Sequence, residues 1–236
     1  MFLIDLPLAR VALEIHEMHK VVCAVLQKWP DQNLLPYRDY KKHIQDCEWF
    51  RIYDIIEGLY QLQLKKNISH VSYTHSFVEA INEAFFEQNI GWQIDSDGKV
   101  VTRGDEEFEA TVKTAVSVLH TDQKPTAAGH LRSAVAALSA RPKANTSGAV
   151  AHATSAVECV LGAITGQTMT LGKYLDKHSS LFHPALKKGL DGIYGYASDV
   201  GARHGKEGTE PAFEEAGFVL ATCAAVCTLL TRKHSK

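Results

Sequence analysis

No Cys-X-X-Cys pair occurs among the five cysteines Cys23, Cys47, Cys159, Cys223 and Cys227, and their number is odd. A disulfide framework is therefore not expected; the thiols fall mostly inside apolar helical patterns and suit reduced side chains packed as small hydrophobes in a cytoplasmic protein. Also missing are GxxxxGK[ST], GxGxxG and GxSxG, which weakens P-loop, dinucleotide and α/β-hydrolase readings. The opening "MFLIDLPLAR" carries Asp5 and no basic run ahead of its apolar residues, so no signal peptide is expected. The longest uncharged run, Ala216 to Thr231, falls short of the roughly 18 to 20 residues of a spanning helix. It predicts a buried helix and no membrane partner. Internal repeats and low-complexity segments are absent as well.

A strong charge of either sign is lacking: the net charge is −2, which argues against a surface wrapped in nucleic acid throughout. The average conceals a local difference. From Arg141 to Lys206 there are eight basic residues against four acids, a net +4 that leaves −6 elsewhere. An anion would be drawn to that segment, although scattered surface lysines give the same count.

What is present is an ordinary globular composition, 236 residues at 45% hydrophobic and 22% charged, enough for one large core or two modest ones. Helical periodicity dominates. Leu8, Val11, Ala12, Ile15, Met18, Val22, Val25 and Leu26 form one stripe that ends before Pro30, and a second helix is predicted from about Tyr40 to Leu64. A third covers "HSFVEAINEAFFEQN". Alternation in "GWQIDSDGKVVTRG" predicts a small β-hairpin near residues 91–104 that turns at Asp97-Gly98.

Helices over about 105–120 and 126–139 lead to "SARPKANTSG", a connection and cap. Further helices are predicted at about 148–164, 171–177, 184–194 and 211–231, with Pro184 and Pro211 suited to first-turn positions. The expected organisation is an N-terminal helical region over 1–70, helices with the hairpin over 71–140, and a helical unit over 141–236. The fold class is mainly α.

The residues with most chemistry lie in "YGYASDVGARHGKEG", residues 194–208. Arg203 can grip a phosphate through two parallel hydrogen bonds while His204, beside it, exchanges protons near neutral pH. Ser198 and Asp199 lie upstream. The plainer alternative is a solvated interhelical loop in which Asp199 caps or pairs with Arg203. His152 reads as a packed, hydrogen-bonded histidine, with Glu158 about 120° away around the same helix. His16 with His19, and Cys223 with Cys227, have spacings that supply half a metal site without an evident second half, so no metal or cofactor is expected.

"TLGKYL", "LFHPALKKGLDGIYGYASDVGARHG" and "EEAGFVLATCAAVCTLL" resemble the HEPN-like domains attached to abortive-infection proteins of the AbiJ type. "INEAFFEQNIGWQI", "VVTRG" and "RPKANTSGAVAHATSAVECV" are similar to the same family in the same order. The resemblance covers roughly residues 75–232, and the first 70 residues carry none. It implies a C-terminal HEPN-like four-helix bundle, a homodimer, and a part in bacterial defence against phage. Many HEPN proteins are metal-independent endoribonucleases whose arginine precedes the histidine by four to six intervening residues. The histidine assists proton transfer at the ribose 2′-hydroxyl and the arginine steadies the phosphate.

Here those upstream positions are Ala197, Ser198 and Asp199, and only the adjacent Arg203 is available. By this resemblance His204 is the general acid or base, Arg203 the phosphate clamp, Asp199 the orienting partner and Ser198 a local hydrogen-bonding group. Lys206, Lys173, Lys187, Lys188 and His152 are the candidate RNA contacts. The expected partners are RNA or a nucleotide, a second copy of the chain, and a further defence-system subunit. A non-catalytic assembly or nucleotide-sensing module is the competing reading, and a metal-dependent hydrolase using His152, Asp199 and His204 is a third.

Overall fold

Helix accounts for most of the chain, with one two-stranded ribbon, in a computed structural model that describes residues 14–31, 35–65, 71–200 and 210–234. Two compact units divide at Arg103/Gly104. Within the second unit, the helices on either side of residue 140 share one core.

The first unit contains α1 (Ile15–Leu26), α2 (Pro36–Gln45), α3 (Arg51–Lys65), α4 (Val71–Glu87), β1 (Trp92–Ile94) and β2 (Val100–Thr102). The single helix predicted over 40–64 is two helices. Its apolar spacing continues across residues 46–50, but the chain turns there so that α2 and α3 can each lie against α1. Pro36 opens α2, where its missing N–H costs no hydrogen bond. Buried aromatics fill this unit, among them Tyr40, Tyr53, Tyr60, Phe77 and Phe85.

Side chains of the helices hold the hairpin. Asn82 on α4 donates to the Ile94 carbonyl at 3.0 Å and accepts from its N–H at 2.7 Å. Glu57 on α3 accepts from Val100 N at 3.0 Å and from Lys99 Nζ at 2.9 Å. The loop is longer than the predicted two-residue turn: Ile94 pairs with Val100, and Asp95 to Lys99 bridge them. Gly98 sits at φ +76°, and a Cβ there would lie 1.9 Å from the Tyr60 ring. Tyr60 in turn donates to the Ser96 carbonyl at 2.9 Å. Glycine is thus required by both the backbone angle and the close approach.

The second unit contains α5 (Glu106–Thr121), α6 (Pro125–Leu138), α7 (Thr146–Thr165), α8 (Leu171–Lys177), a 3₁₀ turn (Ser179–Leu181), α9 (Pro184–Asp199) and α10 (Phe213–His234). Helices α5, α6, α7 and α10 pack on one another, and α8 and α9 flank α7. The four-helix core therefore recruits two helices that precede residue 141. Asp105 caps α5 by accepting from Phe108 N at 2.8 Å, and Asn145 caps α7 through Gly148 N at 2.8 Å. Pro184 is the first residue of α9 as predicted, whereas Pro211 precedes α10 by two positions.

Helices α7 and α10 are each long and apolar enough to cross a bilayer. Both also bury a continuous stripe in the core of this unit: Ala149, Ala153, Val157 and Val160 on α7, and Leu220, Ala224, Cys227 and Leu230 on α10. That is the packing predicted for the run from Ala216 to Thr231.

Candidate functional site

Arg203, His204 and Lys206 lie outside the described residues, which resume at Glu210. Helices α9 and α10 lie on either side of them in the chain. Helix α9 runs five residues past its predicted end, so Ser198 and Asp199 occupy its last turn. Ser198 Oγ donates to the Tyr194 carbonyl at 3.0 Å within the helix, Asp199 is exposed, and Ala197 is fully buried. The positions at which the resemblance looks for an arginine thus belong to a packed helical turn.

The end of α9 is tied to the start of α10. Tyr196 OH donates to Glu215 Oε2 at 2.9 Å, and Ala212 N donates to the same oxygen at 2.9 Å. Burial, followed by the Glu215 carboxylate, pushes the Tyr196 phenol up to about 12. The Ala212 N–H and then the Tyr196 hydroxyl hold the Glu215 carboxyl below its ordinary range. Beside this clasp is a cleft of about 440 Å³ lined by Ile193, Tyr196, Glu214, Glu215, Phe218 and Val219. Its polar groups are two carboxylates and a phenol kept neutral, which suits an apolar or cationic group better than a phosphate.

The remaining candidates are dispersed. Lys173 on α8 and Lys188 on α9 are exposed, while Lys187 pairs with Asp191 at 2.7 Å and Lys143 with Glu210. His152 meets a partner the sequence did not suggest: its Nδ1 lies 3.3 Å from His130 Nδ1 on α6, so one ring donates and the other accepts. Burial, then the His152 ring, lowers the His130 pKa. Glu158, on a neighbouring face of α7, accepts from Leu171 N at 2.7 Å and does the work of a cap for α8.

A second constellation lies in the first unit. His16 is exposed and pairs with Glu14, but His19 faces inward. Its Nε2 is 2.7 Å from Asp39 Oδ2, which also accepts from Asp31 N at 2.9 Å. Cys23, one turn beyond His19, completes a buried trio whose ligand atoms all lie within 4.8 Å of one another. His43, one turn beyond Asp39, brings its Nε2 to 3.3 Å from Asp39 Oδ1.

Burial alone would raise the Asp39 pKa, but the Asp31 N–H and the two imidazoles hold it below the ordinary carboxylate value. Burial, followed by the Asp39 charge, raises the Cys23 thiol. The signal was present in the sequence as two i,i+4 pairs, His19/Cys23 and Asp39/His43. What the sequence did not reveal was that α1 and α2 face one another.

Residues 9–118 match the family described as AbiJ N-terminal domain 4. The match takes in the described part of the first unit and most of α5, including early residues that lie outside the span of the resembling motifs. No curated protein and no solved structure matches the chain.

Proposed function

We propose that this chain is a cytoplasmic component of an abortive-infection type of defence, in which the C-terminal helical unit presents Arg203, His204 and Lys206 to RNA. The observation that carries the reading is the AbiJ-type match over residues 9–118, followed in the same chain by the motifs that resemble HEPN-like domains. The match supports the defence context, and the residue chemistry supports the ligand. His204 acts as general acid or base, Arg203 clamps the phosphate and Asp199, at the end of α9, orients them. RNA is held mainly through its phosphates, with exposed Lys173 and Lys188 adding attraction, so binding falls steeply with salt.

A second copy of the chain fits the surface of α10. Phe218, Ala225 and Leu229 recur at helical spacing on its exposed side, with Phe218 63% and Leu229 47% accessible. This apolar stripe supports a homodimer through α10, and a further defence-system subunit is the other occupant. The competing reading, a non-catalytic assembly or nucleotide-sensing module, is favoured by the helical turn at Ala197 to Asp199, which holds no arginine at the spacing of the HEPN signature.

The test uses purified full-length protein, total RNA and excess chelator, alongside His204→Ala and Arg203→Ala. Cleavage that survives the chelator and is lost in both variants supports the enzyme. Intact RNA that is nonetheless retained by the folded protein, with a steep salt dependence, supports RNA binding without catalysis. No retention at low salt removes RNA from the reading.

A further inference from the structure

We infer that the first unit is a binding site for one transition-metal ion of the zinc class, held between α1 and α2 by His19 Nε2, Cys23 Sγ and the Asp39 carboxylate, with His43 positioning that carboxylate. The inference stands apart from the RNA reading, which concerns the other unit.

Four observations meet here. First, the donor set is right: imidazole nitrogen, thiolate sulfur and carboxylate oxygen are the usual zinc ligands, and three of them with an open fourth position is a common arrangement. Second, the donors already converge. Tetrahedral bonds of about 2.0 to 2.3 Å put neighbouring ligand atoms roughly 3.3 to 3.8 Å apart. The three ligand atoms lie within 4.8 Å of one another, so the His19–Asp39 contact opens slightly from 2.7 Å and the sulfur closes in.

Third, the site is enclosed, with His19, Cys23 and Asp39 at 7%, 5% and 1% exposure. A divalent ion with one thiolate and one carboxylate is neutral, which is what a buried site requires. The Cys23 proton leaves to solvent as the metal–sulfur bond forms. Fourth, Asp39 Oδ1 and His43 Nε2 are buried, face one another at 3.3 Å, and make no hydrogen bond. Buried polar atoms in that condition point to a missing charge or a needed rotation. Turning the carboxylate so that one oxygen reaches the metal brings the other squarely onto His43, the usual support for a ligating carboxylate.

The full chain is stripped with chelator, dialysed, and titrated with cobalt(II) and then zinc. One equivalent of cobalt is expected to bind with a thiolate-to-cobalt charge-transfer band, and zinc should displace it and raise the melting temperature. In Cys23→Ser the band disappears, and in His43→Gln the affinity falls about 10- to 100-fold with the band retained. Should Cys23→Ser fail to fold, zinc-edge X-ray absorption of the wild-type protein decides: one sulfur near 2.3 Å with nitrogen and oxygen near 2.0 Å is expected, to about 0.1 Å. The inference is overturned by a folded wild-type protein that takes up no stoichiometric metal, by a band unchanged in Cys23→Ser, or by a shell without sulfur. In those cases the cluster is a hydrogen-bonded lock between two helices.

Discussion

The two units bury different things. Among the described residues, the first encloses His19, Asp39 and Gln63 and fills its core with aromatic rings, whereas the polar side chains enclosed by the second are the hydroxyls of Ser139, Thr146, Thr154 and Thr231. Alanine lines the interior of the second unit at Ala115, Ala127, Ala128, Ala134, Ala149, Ala153 and beyond. Small side chains let α5, α6, α7 and α10 approach closely. Such a core is specified by volume, and its hydroxyls can be satisfied within their own helices, as Thr154 is by the Val150 carbonyl at 3.0 Å. The first unit is specified by partners: its ionisable groups and its hairpin clamps each need a particular atom opposite.

The comparison breaks if the two units respond alike to loss of charge. Replacing Asp39 by Ala leaves His19 and His43 facing an uncharged gap, and a loss of about 3 to 5 kcal/mol is expected in denaturant unfolding of the metal-free chain. Substituting Ala153, which is fully buried on α7, with Leu overfills the second core and should cost about 1 to 3 kcal/mol. An unchanged midpoint would show a core that tolerates volume. Gly98→Ala forces a side chain onto a positive φ and into Tyr60, with an expected loss of about 2 kcal/mol and release of the hairpin amides to hydrogen exchange.

The smallest effect concerns pH. His130 has a lowered pKa in the folded protein, so the unfolded chain takes up its proton first as pH falls. The contribution of neutral His130 to stability is therefore complete above the ordinary histidine value of about 6.5 and is lost as pH drops through the depressed one. Melting temperatures at neutral and mildly acid pH should diverge less in His130→Gln than in the wild type.

Much of this was legible in the amino-acid order, because caps and periodicity are local. The cap at Asn145 and the first-turn position of Pro184 mark helix starts that the structure keeps. The run from Thr146 to Thr165 reads as one helix because its apolar positions hold a single face. The break between α2 and α3 was not legible, since the apolar spacing runs on through Cys47 and Phe50 and no proline or glycine interrupts it. The residues assigned to chemistry fared differently: Ser198 became part of a helix, His152 acquired His130, and Arg203 and His204 lie outside the described residues.

By itself the sequence determined a mainly helical chain with one ribbon, the faces its helices bury, and the residue types available for phosphate or metal chemistry. These follow from backbone geometry repeating every few residues. Only the tertiary structure decided which faces meet: that α1 turns His19 and Cys23 toward Asp39, that Glu57 and Asn82 hold the hairpin, and that α5 and α6 join α7 and α10 in one core. Such pairings are won by shape and charge between segments far apart in the chain, and local periodicity carries no record of them.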